Sequence, residues 1–463
     1  MKLTETLTPN TKARTIRMNG KRVLFACVPA DGHFNPLTGL AVHLQEQGYD
    51  VRWYTSKTYS DKLGRLGIRH YPFVKAMEVT GDILEETFPQ RNKIKSQVGR
   101  LCFDLEHFFI LRSVEYLADI QEIHQHFPFD VLVADCTFTA IPFVREKMNK
   151  PVVSIGIVPL VETSRDLPPG GLGMTPSTSF LGRLKQHALR WFADRVLFRR
   201  PNAVMRGLLK EHGISFEGTN GFDLLVKKAT LLLQSGTPAF EYKRSDLGKN
   251  VRFIGPLLPY SEPKEQKPWY DKRLHQYNKV VLVTQGTVER ETDKIIVPVL
   301  EAFKDTDCLV VATTGGNGTQ ALRARYHQEN LIIEDFIPFR DIMPYADVYV
   351  TNGGYGGVLL AIENELPLVV AGVHEGKNEI NARVGYFKLG INLGTETPTP
   401  AQVGKAVRQV LTDGTYKRNI LRLSEEFACF QPNLQFEKHI AELTGLRATT
   451  RTSGQATPAL SLY

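Results

Sequence analysis

The chain has 463 residues and a formal charge of +8, with 42% hydrophobic and 23% charged residues. That length exceeds one typical core and predicts two domains, and the composition is that of an ordinary globular protein rather than a disordered or fibrous one. No run of about 18 apolar residues occurs, so no membrane span is expected; no basic block is dense enough for a nucleic-acid site, and five scattered cysteines argue against a disulfide framework and for a reducing cytoplasm.

Residues 1–20 are polar and basic, lack an apolar signal-peptide core, and read as a disordered leader. KRVLFACVPADGHFNPLTGLAVHLQEQGYDVRWYT then reads as strand, loop, helix and strand. Residues 23–28 are continuously apolar, as in a strand buried on both faces. Residues 36–47 carry Leu37, Leu40, Ala41 and Leu44 on one helical face, and Gly48 suits the C-cap. Residues 51–55 complete a βαβ unit, to which the rules of parallel sheets apply.

The region 76–126 is helical and rich in aromatics, among them Phe103, Phe108, Phe109 and Tyr116. FDVLVAD at 129–135 is a buried strand ending in an acid, and 151–157 is another strand. PPGGLGMTPST at 168–178 reads as a flexible loop. Residues 180–209 form a basic amphipathic stretch, which suits a helix covering the domain or one lying on a membrane surface. Short strands follow at 229–233 and 251–254, then a segment rich in Pro and charge that reads as a linker.

A second α/β alternation succeeds it. Strands are expected at 280–284, 309–313, 331–336, 348–351 and 368–371, with helices at 295–303, 399–411 and 416–427. The domain plan is therefore a leader at 1–20, an N-terminal domain at 21–258, a linker at 259–278, a C-terminal domain at 279–425, a last helical segment at 426–446 and a loose tail at 447–463. Ligands in such sheets bind beyond the carboxyl ends of the strands, which places the expected site in the cleft between the halves.

ADVYVTNGGYGGVLLAIE at 346–363 is the most telling stretch. It reads as a buried strand, a glycine-rich turn and a buried helix. Gly353, Gly354, Gly356 and Gly357 let the backbone approach a ligand, and the helix N-terminus aims free N–H groups at it. A phosphate is the favoured occupant, although such a turn also serves as a plain tight connection.

His33 follows the first strand, where an imidazole suits a general base; a solvated loop histidine is the bland alternative. Asp135 ends a strand at the same sheet edge and can orient that imidazole and offset its charge, or simply cap a helix. Cys27 and Cys136 lie near both in sequence order but lack the spacing of a metal site and read as small buried apolar residues. Gly286 and Thr287 follow a strand and can donate to phosphate, and Phe336, ahead of Ile337, can stack on a base or sit in the core.

In combination and order these stretches resemble family 1 glycosyltransferases, nucleotide-sugar-dependent enzymes with the GT-B fold of two Rossmann-like parallel-sheet α/β domains facing across a cleft. The bacterial macrolide and flavonoid type is the most similar. The likeness runs from about residue 21 to 446 and is carried by PADGHFNP at 29–36, VRFIGPLLP at 251–259, VLVTQGT at 281–287, DFIPFRDIMPYADVYVTNGGYGG at 335–357 and LPLVVAG at 366–372.

The resemblance implies a UDP-sugar donor in the C-terminal half and a small hydrophobic acceptor in the N-terminal half. It implies an inverting transfer of a hexose, glucose first, with no metal and no other cofactor. His33 matches the family's base and Asp135 its acid partner. Phe336 matches the ring that stacks on uracil, with Ile337 offering backbone atoms to the base. Gly286, Thr287 and the run Gly354, Tyr355, Gly356 and Gly357 match the diphosphate cradle. The last helix is expected to return to the N-terminal domain, and a cytoplasmic monomer or weak dimer is expected.

Four positions depart from the pattern. Asn352 replaces the histidine that meets the β-phosphate, and Tyr355 the plant-type tryptophan. Leu360 replaces the glutamate that takes the ribose hydroxyls, leaving Glu363 or another group to do so. Lys377-Asn378 replaces the acid–glutamine pair that reads the sugar. Three rivals stay open. A dehydrogenase is opposed by the single glycine of VPADGHFNP, a sugar epimerase shares the fold, and a non-catalytic activator should have lost His33 or Asp135.

Overall fold

The computed structural model describes residues 20–79, 84–218, 220–260, 268–286 and 289–445. The expected leader up to residue 19, Thr287, linker residues 261–267 and the tail lie outside the described residues.

The first sheet contains β1 (Arg22–Ala26), β2 (Asp50–Thr55), β3 (Arg69–Pro72), β4 (Val131–Asp135), β5 (Val152–Gly156), β6 (Leu231–Ser235) and β7 (Val251–Gly255), in the order β3-β2-β1-β4-β5-β6-β7. The second contains β8 (Lys279–Thr284), β9 (Cys308–Thr313), β10 (Leu331–Glu334), β11 (Val348–Thr351), β12 (Leu368–Val370) and β13 (Gly390–Asn392), in the order β10-β9-β8-β11-β12-β13. Each strand pairs in parallel with its neighbours.

The sequence explains the central positions. Val23, Leu24, Phe25 and Ala26 of β1, and all five residues of β4, are buried. Helices cover both faces of such a strand, so every side chain must be apolar or internally satisfied. In both sheets the strand order reverses beside the first strand, between β1 and β4 and again between β8 and β11. A crevice opens at such a switch point, beyond the carboxyl ends of the strands.

Two strands escape the sequence reading, β3 (RHYP) and β13 (GIN). Both are edge strands, half-exposed and without an apolar run, so periodicity carries no signal for them. The first helix also starts earlier than expected. It spans Asp31–Glu46, with Pro36 inside it, so DGHFN forms its first turn and not a loop. The basic stretch after 180 breaks in two: Phe180–Phe192 continues as a wide turn through Ala193–Leu197, and Arg199–Glu211 starts anew.

The helix Pro432–Leu443 packs against the helix Asp31–Glu46. Phe436 and Ile440 are fully buried in the N-terminal core beside Phe25. His43 Nε2 and Glu437 Oε2 pair at 2.8 Å. The two halves also meet at Arg383, only 3% exposed and held between two acids. Its guanidinium lies 2.6 Å from Glu241 and 3.1 Å from Glu379, and 4.2 Å from the ring of Tyr242. Burial opposes its charge, but Glu241 and Glu379 outweigh that and drive its pKa up.

Candidate active site

His33 sits in the first turn of the helix Asp31–Glu46, its N–H donating to the carbonyl of Ala30 at 2.9 Å. The parallel pairing of β1 with β4 brings Asp135 to the same edge. His33 Nδ1 lies 3.1 Å from Asp135 Oδ1. The carboxylate is fully buried and the imidazole 19% exposed. Asp135 also accepts from Val28 N–H at 2.9 Å, Thr137 N–H at 2.8 Å and Thr137 Oγ1 at 2.6 Å. Burial raises the carboxyl pKa, but the His33 charge and these hydrogen bonds overcome that and hold it below the usual range. Nδ1 is thereby engaged, and Nε2 is the ring nitrogen left to act on a ligand.

Thr137 went unnoticed in the sequence. Its hydroxyl is 3.2 Å from His33 Nδ1, and it also lines an apolar pocket with Leu105, Phe109, Ile110, Phe198, Met205 and Phe222. Thr137 thus links the pocket wall to the imidazole. The pocket walls combine part of the aromatic stretch 102–116 with the start of the helix Arg199–Glu211. The loop 164–178 is absent from that wall. It crosses to the other domain instead, where Gly171 and Gly173 N–H both donate to Glu379 Oε1 at 2.8 Å. Burial, ahead of the Asp135 charge, pushes the Cys27 and Cys136 thiols up to about 12. No group of three or more His, Cys, Asp or Glu is arranged to hold a metal ion among the described residues.

In the second domain the glycine turn connects β11 to the helix Tyr355–Glu363. No side chain caps that helix, so its first N–H groups are free for an anion. Gly353 has φ +85°, and a Cβ there would stand 1.7 Å from Asn381 Oδ1. Asn381 is fully buried and donates to the carbonyls of Asn352 and Gly372 at 3.2 and 2.9 Å. It pins the turn, and nothing in its sequence setting marks it. Asn352 donates to the carbonyl of Gln285, which ties the turn to the end of β8 next to Gly286. Gln285 is a brace: its Oε1 accepts from Ile295 and Ile296 N–H at 2.8 and 3.0 Å.

Phe336 is 73% exposed, while Ile337 is buried in the core. An exposed ring at a strand end offers a free flat face. A Cβ on Gly316 would lie 3.7 Å from that ring, so Gly316 leaves room beside it. Gly356 has open space where a Cβ would go, and Gly354 is the N-cap of the helix.

Other predicted positions are engaged differently. The Tyr355 phenol reaches across to the first domain and donates to the carbonyl of Ser235, at the end of β6, at 2.8 Å. Leu360 is half-buried against the core. Glu363 ends its helix, at the far end from the turn, and its carbonyl accepts from Ser424. Lys377 begins the helix Lys377–Tyr386 and pairs with Glu375 at 2.6 Å, its stem beside Gly372. Asn378 donates to the carbonyl of Gly171 at 2.8 Å, across the cleft.

The helix that carries the acid-braced imidazole touches the helix that follows the glycine turn of the second α/β domain. The C-terminal domain model of erythromycin biosynthesis protein CIII-like proteins matches residues 298–436. The 4'-demethylrebeccamycin synthase of Lentzea aerocolonigenes is 36% identical, covering 88% of this chain and 96% of that protein. UDP-glycosyltransferase 2 of Phaeomoniella chlamydospora is 30% identical, over 88% of this chain and 92% of its own. UDP-glucosyltransferase 1 of Beauveria bassiana (strain ARSEF 2860) is 29% identical, over 89% and 92%. The crystal structure of the glycotransferase of kitacinnamycin superposes with a TM-score of 0.72 at 17% identity, covering 92% of this chain and 99% of that one, which shows the fold. The chain belongs to family 1 glycosyltransferases, has their GT-B fold, and is a sugar-transferring enzyme. Nothing among these matches favours an epimerase or a non-catalytic activator. No helix among the described residues is long and apolar enough to cross a membrane.

Proposed function

We propose that the enzyme moves a sugar, glucose first, from a UDP-sugar to a hydroxyl of a small hydrophobic acceptor such as a phenol or flavonoid, a terpenoid or a macrolide, with inversion and without a metal ion. The observation that carries this reading is the His33–Asp135 pair at 3.1 Å, set beside an apolar pocket through Thr137. An acceptor in that pocket presents its hydroxyl to His33 Nε2. The proton passes to Nε2 as the acceptor oxygen bonds to the anomeric carbon. The bond from that carbon to the diphosphate breaks on the opposite face, which inverts the configuration. Asp135 holds the tautomer and offsets the imidazolium charge.

The leaving diphosphate would rest on the free N–H groups at Gly354, Tyr355, Gly356 and Gly357, near Gly286 and Asn352. These preorganised dipoles stabilise developing charge and need no cation. Contact between the helices Asp31–Glu46 and Tyr355–Glu363 supports bringing base and cradle to one cleft. Phe336 is the platform for uracil, with backbone atoms of Ile337 at its edge. Lys377 and Asn378 lie nearest the sugar in the matched pattern. The names of the Phaeomoniella and Beauveria relatives support UDP, and the latter supports glucose.

The test is His33→Ala, assayed with UDP-glucose and a panel of phenols, terpenoids and macrolides. Transfer should fall about 100-fold or more, with UDP affinity by calorimetry unchanged. Near-normal turnover would overturn the mechanism.

A further inference from the structure

The helix Phe180–Phe192 is mounted with its apolar side outward. Its buried residue is polar Gln186, followed by Ala193 in the next turn. Phe180, Leu181, Leu184, Trp191 and Phe192 are exposed, as is Val196 beyond them. Phe180, Leu184 and Trp191 are spaced by four and seven residues, which puts them on one face. These six are among only fifteen large exposed apolar residues of the described chain, so the concentration is local. A surface helix of a water-exposed protein has the reverse arrangement, and a patch of this kind marks an interaction surface.

Charge selects the occupant. Residues 180–211 hold eight Lys and Arg against two acids. One of those acids, Asp194, accepts from Asn220 Nδ2 at 3.0 Å and is held within the fold. Arg183, Lys185, Arg195 and Arg199 are exposed. Between this helix and the next, His187, Arg195 and Arg199 line an open basic groove of a size and charge suited to phosphate-bearing headgroups. An apolar stripe flanked by exposed cations is the pattern of a helix lying in a lipid interface, apolar side down.

We propose that the segment Phe180–Leu197 docks the protein on an anionic lipid surface, with Phe180, Leu184, Trp191 and Phe192 entering the acyl boundary and the flanking Arg and Lys meeting headgroups. Phe198, directly after the segment, and Met205, in the next helix, line the apolar pocket beside Thr137. A docked enzyme therefore holds that pocket close to the lipid boundary. The docking is separable from the transfer reaction, because it is measured without donor or acceptor.

The experiment is co-sedimentation of the full chain with vesicles of phosphatidylcholine alone or mixed with phosphatidylglycerol. Trp191 emission is followed in parallel in a Trp269→Phe background, since Trp269 is only partly buried; Trp53 is fully buried and unresponsive. The protein should bind the anionic vesicles, with a blue shift, and bind phosphatidylcholine far less. Leu184→Asp with Phe192→Asp should abolish binding while the melting temperature holds, since both sites are exposed. Arg183→Gln with Lys185→Gln should weaken it by about 25-fold, taking roughly fivefold per charge. Failure to bind anionic vesicles overturns the proposal, as does equal binding to both vesicle types. Concentration-dependent self-association that Leu184→Asp abolishes, without vesicle binding, would assign the face to a second copy of the chain.

Discussion

Thr137 Oγ1 stands 2.6 Å from Asp135 Oδ1 and 3.2 Å from His33 Nδ1, so one hydroxyl touches both members of the pair. It donates to the carboxylate while its carbon side faces the apolar pocket. The acid is thus held by three protein donors besides the imidazole. Its position does not depend on the ligand, and its charge is ready before the acceptor arrives.

Asp135→Asn should lower kcat while the donor KM stays near wild type, because the carboxylate acts on the charged imidazole of the transition state. A change confined to donor KM would reassign the residue. The carboxyl pKa is depressed in the fold, so its stability contribution is complete above the ordinary carboxyl value near 3.8 and is lost as the pH falls through the folded value. Acid unfolding followed by circular dichroism should therefore show a shallower dependence in Asp135→Asn below pH of about 4.

Phe336→Ala should weaken UDP by about 1–3 kcal/mol if its exposed face carries the base. Calorimetry with UDP and with thymidine diphosphate decides both points. Unchanged UDP binding removes the stacking role. Tighter thymidine diphosphate binding in the wild type replaces the donor.

Gly353→Ala should destabilise the protein by several kcal/mol and abolish donor binding. The φ of +85° disfavours any Cβ, and Asn381 occupies the space it needs. Asn381→Ala removes the clash but leaves the Asn352 and Gly372 carbonyls without their donor, so the double variant should recover only part of the loss. A normal melting temperature in Gly353→Ala would show that the turn can move.

Transfer activity should survive EDTA, since the proposed charge stabilisation comes from N–H groups. Loss of activity restored by Mg²⁺ or Mn²⁺ would contradict this.

The parts of the fold legible in the sequence are those where burial dictates chemistry. The runs in β1, β4, β8 and β11 had to be apolar, and Gly353 had to lack a side chain. Edge strands β3 and β13 carry no such constraint. The early start of the helix at Asp31 was hidden because Pro36 looked like its natural first residue; Ala30 carries the entry without a side-chain cap. Thr137, Asn381 and the Arg383–Glu241 pair were invisible for a different reason. Each acts on partners outside its own element, 104 residues away for Thr137 with His33, 29 for Asn381 with Asn352 and 142 for Arg383 with Glu241, and single-chain periodicity reports only neighbours within one element. The basic amphipathic stretch was legible as amphipathic, but its outward orientation was not, because a moment has no preferred side until the domain is built.

The buried Arg383 has a consequence for recombining such enzymes. A chimera that joins the N-terminal half of this chain to another C-terminal half within 259–278 would part Arg383 from Glu241 and Tyr242. It would also part Glu437 from His43 and strip Phe436 from the first core. Glu241 would keep Arg244 at 3.5 Å but lose its nearest cation, and removing one partner of a buried pair costs about 3–5 kcal/mol. The covalent joint is therefore the wrong place to cut. A viable graft exchanges the second domain as an insert, keeps Pro432–Leu443 with the first, and carries Arg383 and Glu379 together or replaces them with apolar residues matched to a changed Glu241.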